Sequence, residues 1–393
     1  LPGRDIRAAE IRYLKYRPQR YCRASYRIDI GGAECDVDAF ACPREELSDS
    51  VEHGRDGAVP GPLGSGRVVL DDVAVLVTVF PNDARLSQIA DLTDPERRGA
   101  LLSALLPERP ELWNGEVRCL SYWPGRRYAA ELRAADGSRA FLKALTRRSY
   151  RRAMANAHAF HSAGALRVAR VIGSLDERRM IAFEWLPGRM LADLVGDEGF
   201  DRESLSLTGE ALAEFHRQSA EPLDCWTRED EAEYVLALAG EIGFLAPRLA
   251  SHADGFARRL AARLTELPDV HHPFHGDFSD GQVLVGEGAV AIVDLDSARC
   301  GDPADDLGAM VAQAESHALS GRRPPRWVAT LRDAFLERYD GAGAGHPVER
   351  IGLYAALGLL RRARFAFRLR HPDWQSTTGA ALERGARILS REC

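Results

Sequence analysis

Apolar and polar residues follow a similar order in two stretches of the chain that lie 106 residues apart. Residues 10–24 and 116–130 share seven of fifteen residues, where about one is expected by chance from ordinary composition. The same register, without a gap, aligns the apolar strand 73–80 with the strand 179–186, each followed by a proline. We therefore predict two related units, each made of a hairpin, a third strand, a helix and two more strands.

After about residue 188 the apolar residues recur at helical spacing, beginning with Met190-Leu-Ala-Asp-Leu. Residues 283–295 interrupt this pattern and predict a short hairpin that turns on Gly286-Glu-Gly288. Residues 50–67, rich in glycine and proline, predict a long loop inside the first unit. The predicted helices are 149–163, 205–215, 229–249, 304–319, 325–339, 347–369 and 376–390.

Composition excludes several classes of protein. The 393 residues include 45% hydrophobic and 28% charged positions, and no apolar run is long enough for a membrane helix, which predicts a globular protein of two or three domains. The net charge of −6 argues against nucleic acid as the main partner. Only Lys15 and Lys143 among the 52 basic residues are lysine, so a lysine can mark a place where arginine does not serve.

The seven cysteines are scattered and have no C-x-x-C or other zinc-like spacing. We expect reduced thiols and a cytoplasmic protein. His271 and His272 are expected to be solvated or stacked rather than metal ligands.

The densest group of polar residues forms three short motifs in the C-terminal half. They read His275-Gly-Asp277-Phe-Ser-Asp-Gly-Gln282, Ile292-Val-Asp294-Leu-Asp296 and Gly301-Asp302-Pro-Ala-Asp-Asp306-Leu. An aspartate at the front of a loop can orient a hydroxyl and accept its proton. An amide and a second carboxylate supply the oxygen ligands that Mg²⁺ prefers, and so few ligands indicate a metal held jointly with nucleotide phosphates.

In this order and spacing the motifs resemble those of the aminoglycoside phosphotransferase family, the small-molecule branch of the protein-kinase-like fold. The resemblance covers roughly residues 115–370. It includes the strand with Lys143, the hinge after Phe183-Glu-Trp-Leu-Pro and the helix that ends at Leu212-Ala-Glu-Phe-His216.

The resemblance implies an α+β, bilobal fold with three parts. Residues 1–112 would form an N-terminal β-rich cap that resembles a degenerate second N-lobe. Residues 113–187 would form the N-lobe, and residues 188–393 a mainly helical C-lobe with the catalytic loop and acceptor site. The first unit has Val37 at the position aligned with Lys143, so phosphate chemistry that needs the lysine is expected only in the second.

The resemblance also implies roles for individual residues, with ATP and Mg²⁺ as cofactors. Asp277 would be the catalytic aspartate, and Gln282 and Asp294 would hold Mg²⁺ against the β- and γ-phosphates. Lys143 would contact the α- and β-phosphates as a compact charge. His275 is expected to hold the loop by hydrogen bonds.

Further roles follow from the same resemblance. The turn 122–128, with Arg126, would lie over the phosphates, and the backbone near Glu184 and Leu186 would meet the adenine. Asp302 and Asp306 are expected to cap a helix and anchor loops. The candidate acceptor contacts are Asp296, Glu229, Asp230, Glu233 and Trp374. A solvated helix face is the alternative for the acidic run, and a structural role is the alternative for Asp296.

Two departures from the family pattern matter. Gln282 replaces the usual asparagine, as it does in maltokinases and related actinobacterial sugar kinases, which also have an N-terminal cap. The motifs around Asp294 and Asp302 are closer to the antibiotic-type enzymes. The helix after Lys143 contains no Glu or Asp, so Asn156 or a residue elsewhere must position the lysine.

The sequence thus predicts a kinase that transfers the γ-phosphoryl group of ATP to a hydroxyl of a sugar, amino sugar or aminoglycoside-like compound. Its partners would be the nucleotide and the acceptor, with no nucleic acid and no membrane, and it would be a monomer or homodimer. The alternative is a pseudokinase with a vestigial site whose cap serves a partner protein. Protein phosphorylation is disfavoured because no activation segment ending in A-P-E follows Asp294.

Overall fold

The computed structural model describes residues 6–47, 58–61, 64–194, 201–221, 223–342 and 350–391. It confirms a mixed α+β fold. The chain divides into two compact units. The first comprises Leu1–Arg151, Val171–Trp185 and Phe367–His371, and the second comprises Arg152–Arg170, Leu186–Ala366 and Pro372–Cys393. Most of the predicted loop 50–67 lies outside the described residues.

The first unit contains two five-stranded antiparallel sheets. The strands of the N-terminal sheet are β1 (Ile6–Arg17), β2 (Tyr21–Ile30), β3 (Ala33–Ala41), β4 (Arg67–Leu70) and β5 (Val75–Val79). Those of the second sheet are β6 (Glu116–Trp123), β7 (Arg127–Arg133), β8 (Arg139–Leu145), β10 (Val171–Leu175) and β11 (Met180–Glu184). The strand orders, β1-β2-β3-β5-β4 and β6-β7-β8-β11-β10, are the same, as expected if one sheet is a duplicate of the other.

The ungapped alignment of the two copies is wrong after the first hairpin. Arg23 pairs with Phe40 in the N-terminal sheet, and Ala129, which is 106 residues after Arg23, pairs with Lys143 in the second. Phe40, three residues beyond Val37, therefore occupies the lysine position. The cause is the turn, because two residues join β2 to β3 whereas five join β7 to β8. The first copy still lacks the lysine.

Two helices for which the sequence pattern made no prediction, Gln88–Thr93 and Pro95–Leu105, complete the core of the first unit. The second begins with Pro95 after Asp94, whose carboxylate accepts a hydrogen bond from the Glu96 amide, a favourable helix start. Their buried side chains pack on the second sheet, with Leu92, Leu102 and Leu105 against Leu132 and Leu142.

The second unit has one small mixed sheet and one two-stranded ladder. The sheet contains β9 (Leu166–Arg167), β12 (Arg189–Met190), β14 (Val283–Gly286) and β15 (Ala289–Ile292) in the order β12-β14-β15-β9. Strands β14 and β15 form the predicted hairpin. The ladder pairs β13 (His272–Phe274) with β16 (Arg299–Gly301). Met190, predicted to begin a helix, instead ends β12, and a short 3₁₀ turn, Leu191–Asp193, follows it.

Helices form the rest of the second unit. Arg147–Ala159 begins in the first unit and ends in the second. The others are Arg202–His216, Arg228–Leu245, Ala250–Thr265, Ala304–Leu319, Arg326–Leu331, Glu337–Gly341, Ile351–Ala363 and Trp374–Arg391. Phe365–Arg368 begins in the second unit and ends in the first. The predicted helix 325–339 is interrupted by a π-helical turn at Arg332–Leu336, and Ala250–Thr265 was not predicted. None of the helices in the described part of the chain is long and apolar enough to span a membrane.

Candidate active site

The His275-Gly-Asp277 loop follows strand β13 and is held by its own histidine. His275 is fully buried. Its Nε2 lies 2.9 Å from the carbonyl oxygen of Val293, and its Nδ1 lies 3.3 Å from the backbone nitrogen of Asp277. A carbonyl can only accept, so the ring carries its proton on Nε2 and accepts at Nδ1. His275 thus ties the loop to the residue before Asp294, as expected, and leaves Asp277 exposed.

Asp306 anchors the same loop from the helix Ala304–Leu319. Its side chain is completely buried. One oxygen accepts from the His275 amide at 2.6 Å and from Nε2 of His216 at 2.9 Å, and the other accepts from the Gly276 amide at 2.9 Å. Gly276 has φ +77°, and a Cβ there would lie 2.6 Å from the carbonyl oxygen of Ser297. The loop conformation therefore needs both this carboxylate and this glycine.

Replacing Asp306 by asparagine is expected to lower the free energy of unfolding by about 2 to 4 kcal/mol. The amide cannot accept from all three donors, so at least one backbone N–H is left buried without a partner. Denaturant unfolding followed by circular dichroism measures the change. D333N, which alters an exposed aspartate, is the control. Equal stabilities of D306N and D333N would contradict this anchoring role.

Gln282 and Asp294 flank the open end of the β14–β15 hairpin. Val283 pairs with Ile292, and the Val293 amide donates to the carbonyl of Gln282 at 3.0 Å. Asp294 therefore follows directly after the residue that lies opposite Gln282. Asp294 has φ 66° and ψ 49°, a left-handed conformation that is uncommon outside glycine and recurs at functional sites.

These two side chains suit a hard divalent cation. Carboxylate and amide oxygens are the ligands that Mg²⁺ prefers, and one or two protein ligands suffice when phosphates supply the rest. The side-chain oxygen of Gln282 accepts a hydrogen bond from the hydroxyl of Ser279, which orients it and leaves a second lone pair. The donor set therefore fits Mg²⁺.

The segment after Asp294 is supported by Asn156. The amide nitrogen of Asn156 donates to the carbonyls of Leu295 and Ala298 at 2.8 and 3.1 Å. Asp296 is half-buried in the 3₁₀ turn between those residues. The donors of Asn156 thus hold this turn, and its role in positioning Lys143 stays a prediction.

Lys143 lies in the middle of β8, between β7 and β11. It pairs with Ala129 on one side and Ile181 on the other, and it is only 5% exposed. Its Nζ is 6.0 Å from the ring centre of Phe183, within cation–π range. A buried lysine among small and apolar neighbours is costly unless it serves an anion or a partner.

The turn that contains Arg126 is bound by residues outside its own sheet. Arg23 of β2 donates to the carbonyl of Pro124 at 2.7 Å. Asp83, which follows the N-terminal sheet, accepts from the Gly125 amide at 2.6 Å and from the Tyr122 hydroxyl at 3.0 Å. Arg126 itself is exposed. The N-terminal segment therefore sets the position of the turn.

Substituting Asp83 by asparagine is expected to raise the apparent KM for ATP about 10-fold while lowering kcat less. Losing one or two buried hydrogen bonds costs about 1 to 3 kcal/mol, and the freed turn must be ordered again by the nucleotide. Steady-state kinetics over a range of ATP concentrations measures this split. D71N removes an exposed carboxylate of the same segment and should match the wild type. An unchanged KM in D83N would refute the role.

The remaining nucleotide candidates are the last residue of β11 and a residue just after that strand. Glu184 is the last residue of that strand and pairs with Ala140. The next residue, Trp185, stacks on the guanidinium of Arg139 at 3.8 Å. Leu186 is half-buried. Their contact with adenine stays a prediction.

The acceptor candidates fall into different environments. Asp230 forms a capping box with Thr227 at the start of helix Arg228–Leu245, so its carboxylate has a structural task. Glu229 and Glu233 are exposed on that helix, and Trp374 is half-buried at the start of the last helix. Their contact with a substrate also stays a prediction.

A buried charge network next to these residues was missed. Arg228 bonds Glu231 at 2.9 Å and Asp302 at 2.8 Å, and Glu231 accepts from the hydroxyl of Tyr354 at 3.0 Å. Burial, followed by the charge of Asp305, raises the pKa of Glu231 to about 7. Burial also favours the neutral form of Asp302, but its arginine partners keep its pKa below the ordinary value. The network joins the acidic helix to the Gly301-Asp302 motif.

Arg362 was also missed. Burial lowers its pKa, while the charges of Asp280 and Asp277 act in the opposite direction, which places a cation within electrostatic range of Asp277. Asp280 is itself held by reciprocal hydrogen bonds with Gln313 at 2.7 and 3.1 Å. In a chain whose default cation is arginine, nothing in the sequence distinguishes Arg362.

Comparison with known proteins gives the family. The profile of the phosphotransferase enzyme family matches residues 131–348, more than half of the chain. No curated protein matches. A choline/ethanolamine kinase family protein from Mesorhizobium loti is similar in structure, with a TM-score of 0.51, 17% identity, and coverage of 76% of this chain and 97% of that one.

A thermostable mutant of aminoglycoside phosphotransferase APH(4)-Ia, solved with ADP and hygromycin B, has a TM-score of 0.50 and 16% identity, and covers 73% of this chain and 98% of that one. These two structures show the kinase-like fold. The chain therefore belongs to the phosphotransferase enzyme family and is a small-molecule kinase with a hydroxyl acceptor.

Proposed function

We propose that this enzyme transfers the γ-phosphoryl group of ATP, with Mg²⁺, to a hydroxyl of a sugar, amino sugar or aminoglycoside-like compound. The observation that carries the proposal is the common frame of the three motif residues. His275 ties the Asp277 loop to the carbonyl of Val293, and the Val293 amide binds Gln282 next to Asp294. Val293 thus links the Asp277 loop to Gln282 through hydrogen bonds, as expected if the three motif residues act in one site.

The residues divide the chemistry between them. Asp277 is exposed on a loop held by hydrogen bonds from His275 and Asp306, where it orients the acceptor hydroxyl and accepts its proton as the phosphoryl group is transferred. Lys143 binds the nucleotide phosphates, and the turn with Arg126 covers them. Most of the rate enhancement then comes from positioning and electrostatic stabilisation.

Gln282 and Asp294 would hold the metal ion. When bound, Mg²⁺ would offset the negative charge that develops on the phosphates during transfer. The fixed left-handed backbone of Asp294 and the bonded oxygen of Gln282 keep both ligands in place before the nucleotide arrives.

The ligands of one structurally similar protein support the proposed nucleotide and the proposed class of acceptor. The APH(4)-Ia mutant was solved as a ternary complex with ADP and hygromycin B. The exposed Glu229 and Glu233 would meet amino groups of such a compound, with Asp296 and Trp374 as further contacts. We also propose that the enzyme is cytoplasmic, because ATP is its proposed phosphoryl donor.

Phosphoryl transfer from ATP labelled in the γ position tests the proposal. The purified protein is offered sugars, amino sugars, aminoglycosides and choline, with Mg²⁺ or with chelator, and products are identified by mass spectrometry. One acceptor class should gain a phosphoryl group only with Mg²⁺. If ATP with Mg²⁺ stabilises the protein against heat but no acceptor is modified, the pseudokinase alternative is favoured. If ATP with Mg²⁺ does not stabilise the protein and no acceptor is phosphorylated, the proposed function is wrong.

A further inference from the structure

Three residues with soft and borderline metal-ligand atoms converge in the second unit, beside the His275 and Gly301-Asp302 motifs but outside the proposed Mg²⁺ ligands. The sulfur atoms of Cys225 and Cys300 and a ring nitrogen of His271 all lie within 4.8 Å of one another. The distance from Cys300 Sγ to His271 Nδ1 is 3.8 Å. Cys225 and His271 are exposed, and Cys300 is buried.

The backbone around these side chains is ordered by a continuous ladder. Cys225 forms a parallel bridge with Cys300, with hydrogen bonds of 2.8 Å from the Trp226 amide to Cys300 and 3.0 Å from the Cys300 amide to Asp224. On the other side, β13 begins at His272, which pairs with Gly301. The three ligand residues therefore come from three adjacent backbone segments.

The distance between Cys300 Sγ and His271 Nδ1 suits tetrahedral zinc. With Zn–S bonds of about 2.3 Å and Zn–N bonds of about 2.0 to 2.1 Å, a tetrahedral site separates sulfur from nitrogen by roughly 3.5 Å. The observed 3.8 Å needs a movement of only a few tenths of an ångström. Two thiolates and one imidazole are a ligand set used by zinc with a fourth position open to water.

We propose that Cys225, His271 and Cys300 bind one Zn²⁺ ion, with water or an external ligand in the fourth position. Both thiols lose their protons to the solvent on binding, so the bound site carries no net charge. The two exposed ligands let the ion enter from solvent, and the buried Cys300 anchors it. This site is distinct from the Gln282–Asp294 oxygen site and does not depend on the proposed reaction.

The site would cross-link two functional segments. Cys225 leads into helix Arg228–Leu245, which carries the acidic residues Glu229 and Glu233, and His271 leads through β13 into the His275 loop. Zinc would fasten the start of that helix to the strand that precedes the loop. Bound zinc is therefore expected to raise the unfolding temperature.

Metal binding by tag-free, fully reduced protein tests the proposal. After treatment with chelator, the protein is dialysed against Zn²⁺, and bound metal is counted by mass spectrometry. Co²⁺ is then used as a probe, because a cobalt–thiolate bond gives a charge-transfer absorption that carboxylates do not give. The wild type should bind one equivalent of Zn²⁺ and show this absorption with Co²⁺.

Variants locate the ion. C225S and H271Q should weaken zinc binding more than about tenfold. Even mutation of residues that only support the metal ligands typically lowers metal affinity 10- to 100-fold. Both positions are exposed, so these variants should fold even if C300S does not. The matched controls are C119S, another exposed cysteine, and H272Q, the neighbouring exposed histidine. Absence of stoichiometric zinc, equal losses in the controls, or a Cys225–Cys300 disulfide in protein isolated under reducing conditions would overturn the proposal.

Discussion

D277N is expected to lower kcat about 10³-fold while the Kd of ATP with Mg²⁺ stays within a factor of about two. Asparagine has the same shape as aspartate but accepts no proton, and loss of a general base typically costs 10² to 10⁴ in rate. The loop should keep its conformation, because the bonds from His275 and Asp306 involve backbone atoms rather than the Asp277 carboxylate. Steady-state kinetics with the identified acceptor and calorimetry with ATP measure the two quantities.

E287Q is the matched control for this variant. It also removes one exposed carboxylate, ten residues further along, in the β14–β15 turn, and both kcat and Kd should stay at wild-type values. If D277N kept more than about a tenth of the wild-type kcat, Asp277 would not be the proton acceptor. If instead D277N lost ATP binding, its charge would act on the nucleotide rather than on the hydroxyl.

D294A is expected to weaken Mg²⁺-dependent ATP binding about 100-fold or more, and D296A less than about tenfold. Mg²⁺ is held in such sites by one or two carboxylates together with phosphates, so the loss of one carboxylate removes most of the protein's contribution. Asp296 lies within the 3₁₀ turn that Asn156 supports, and we place it toward the acceptor. Titration calorimetry with ATP, with and without Mg²⁺, compares the two variants.

The pair of aspartates is its own control, because the two side chains have the same charge and lie two residues apart. Without Mg²⁺, both variants should bind ATP as weakly as the wild type does. The reverse order, with D296A the more damaging in the presence of Mg²⁺, would refute the ligand assignment. Thermal unfolding of both variants checks that neither has lost its fold.

Much of the fold was predictable because strands and helices leave periodic patterns. Strands β6, β7 and β8 and the helix Ala304–Leu319 lie where the pattern places them. Which residue of the first sheet corresponds to which residue of the second was not predictable in this way. It depends on the length of one turn, and an ungapped alignment that continues past this turn assigns Val37 to the position that Phe40 occupies.

The helix Ala250–Thr265 shows a different limit. Its buried side chains, among them Phe256, Leu260 and Leu264, pack against residues that lie about a hundred positions later, such as Leu357 and Leu360. The pattern of residues 250–265 led to no helix prediction, although these contacts make the helix part of a hydrophobic core. The predicted helix start at Met190 failed because Met190 pairs with Leu284, a partner almost a hundred residues away.

By itself the sequence determined the chemical groups and their order: one lysine in an apolar strand, an aspartate in a glycine loop, and an amide and a carboxylate on either side of a hairpin. These features are local, because each depends on neighbours within a few residues. Only the tertiary structure decided which groups meet. Asp306 binds the amides of a loop thirty residues earlier, Asp83 binds the Gly125 amide, and Cys225, His271 and Cys300 converge. Buried amides and carboxylates must find partners wherever folding brings them, and sequence spacing does not record those long-range pairings.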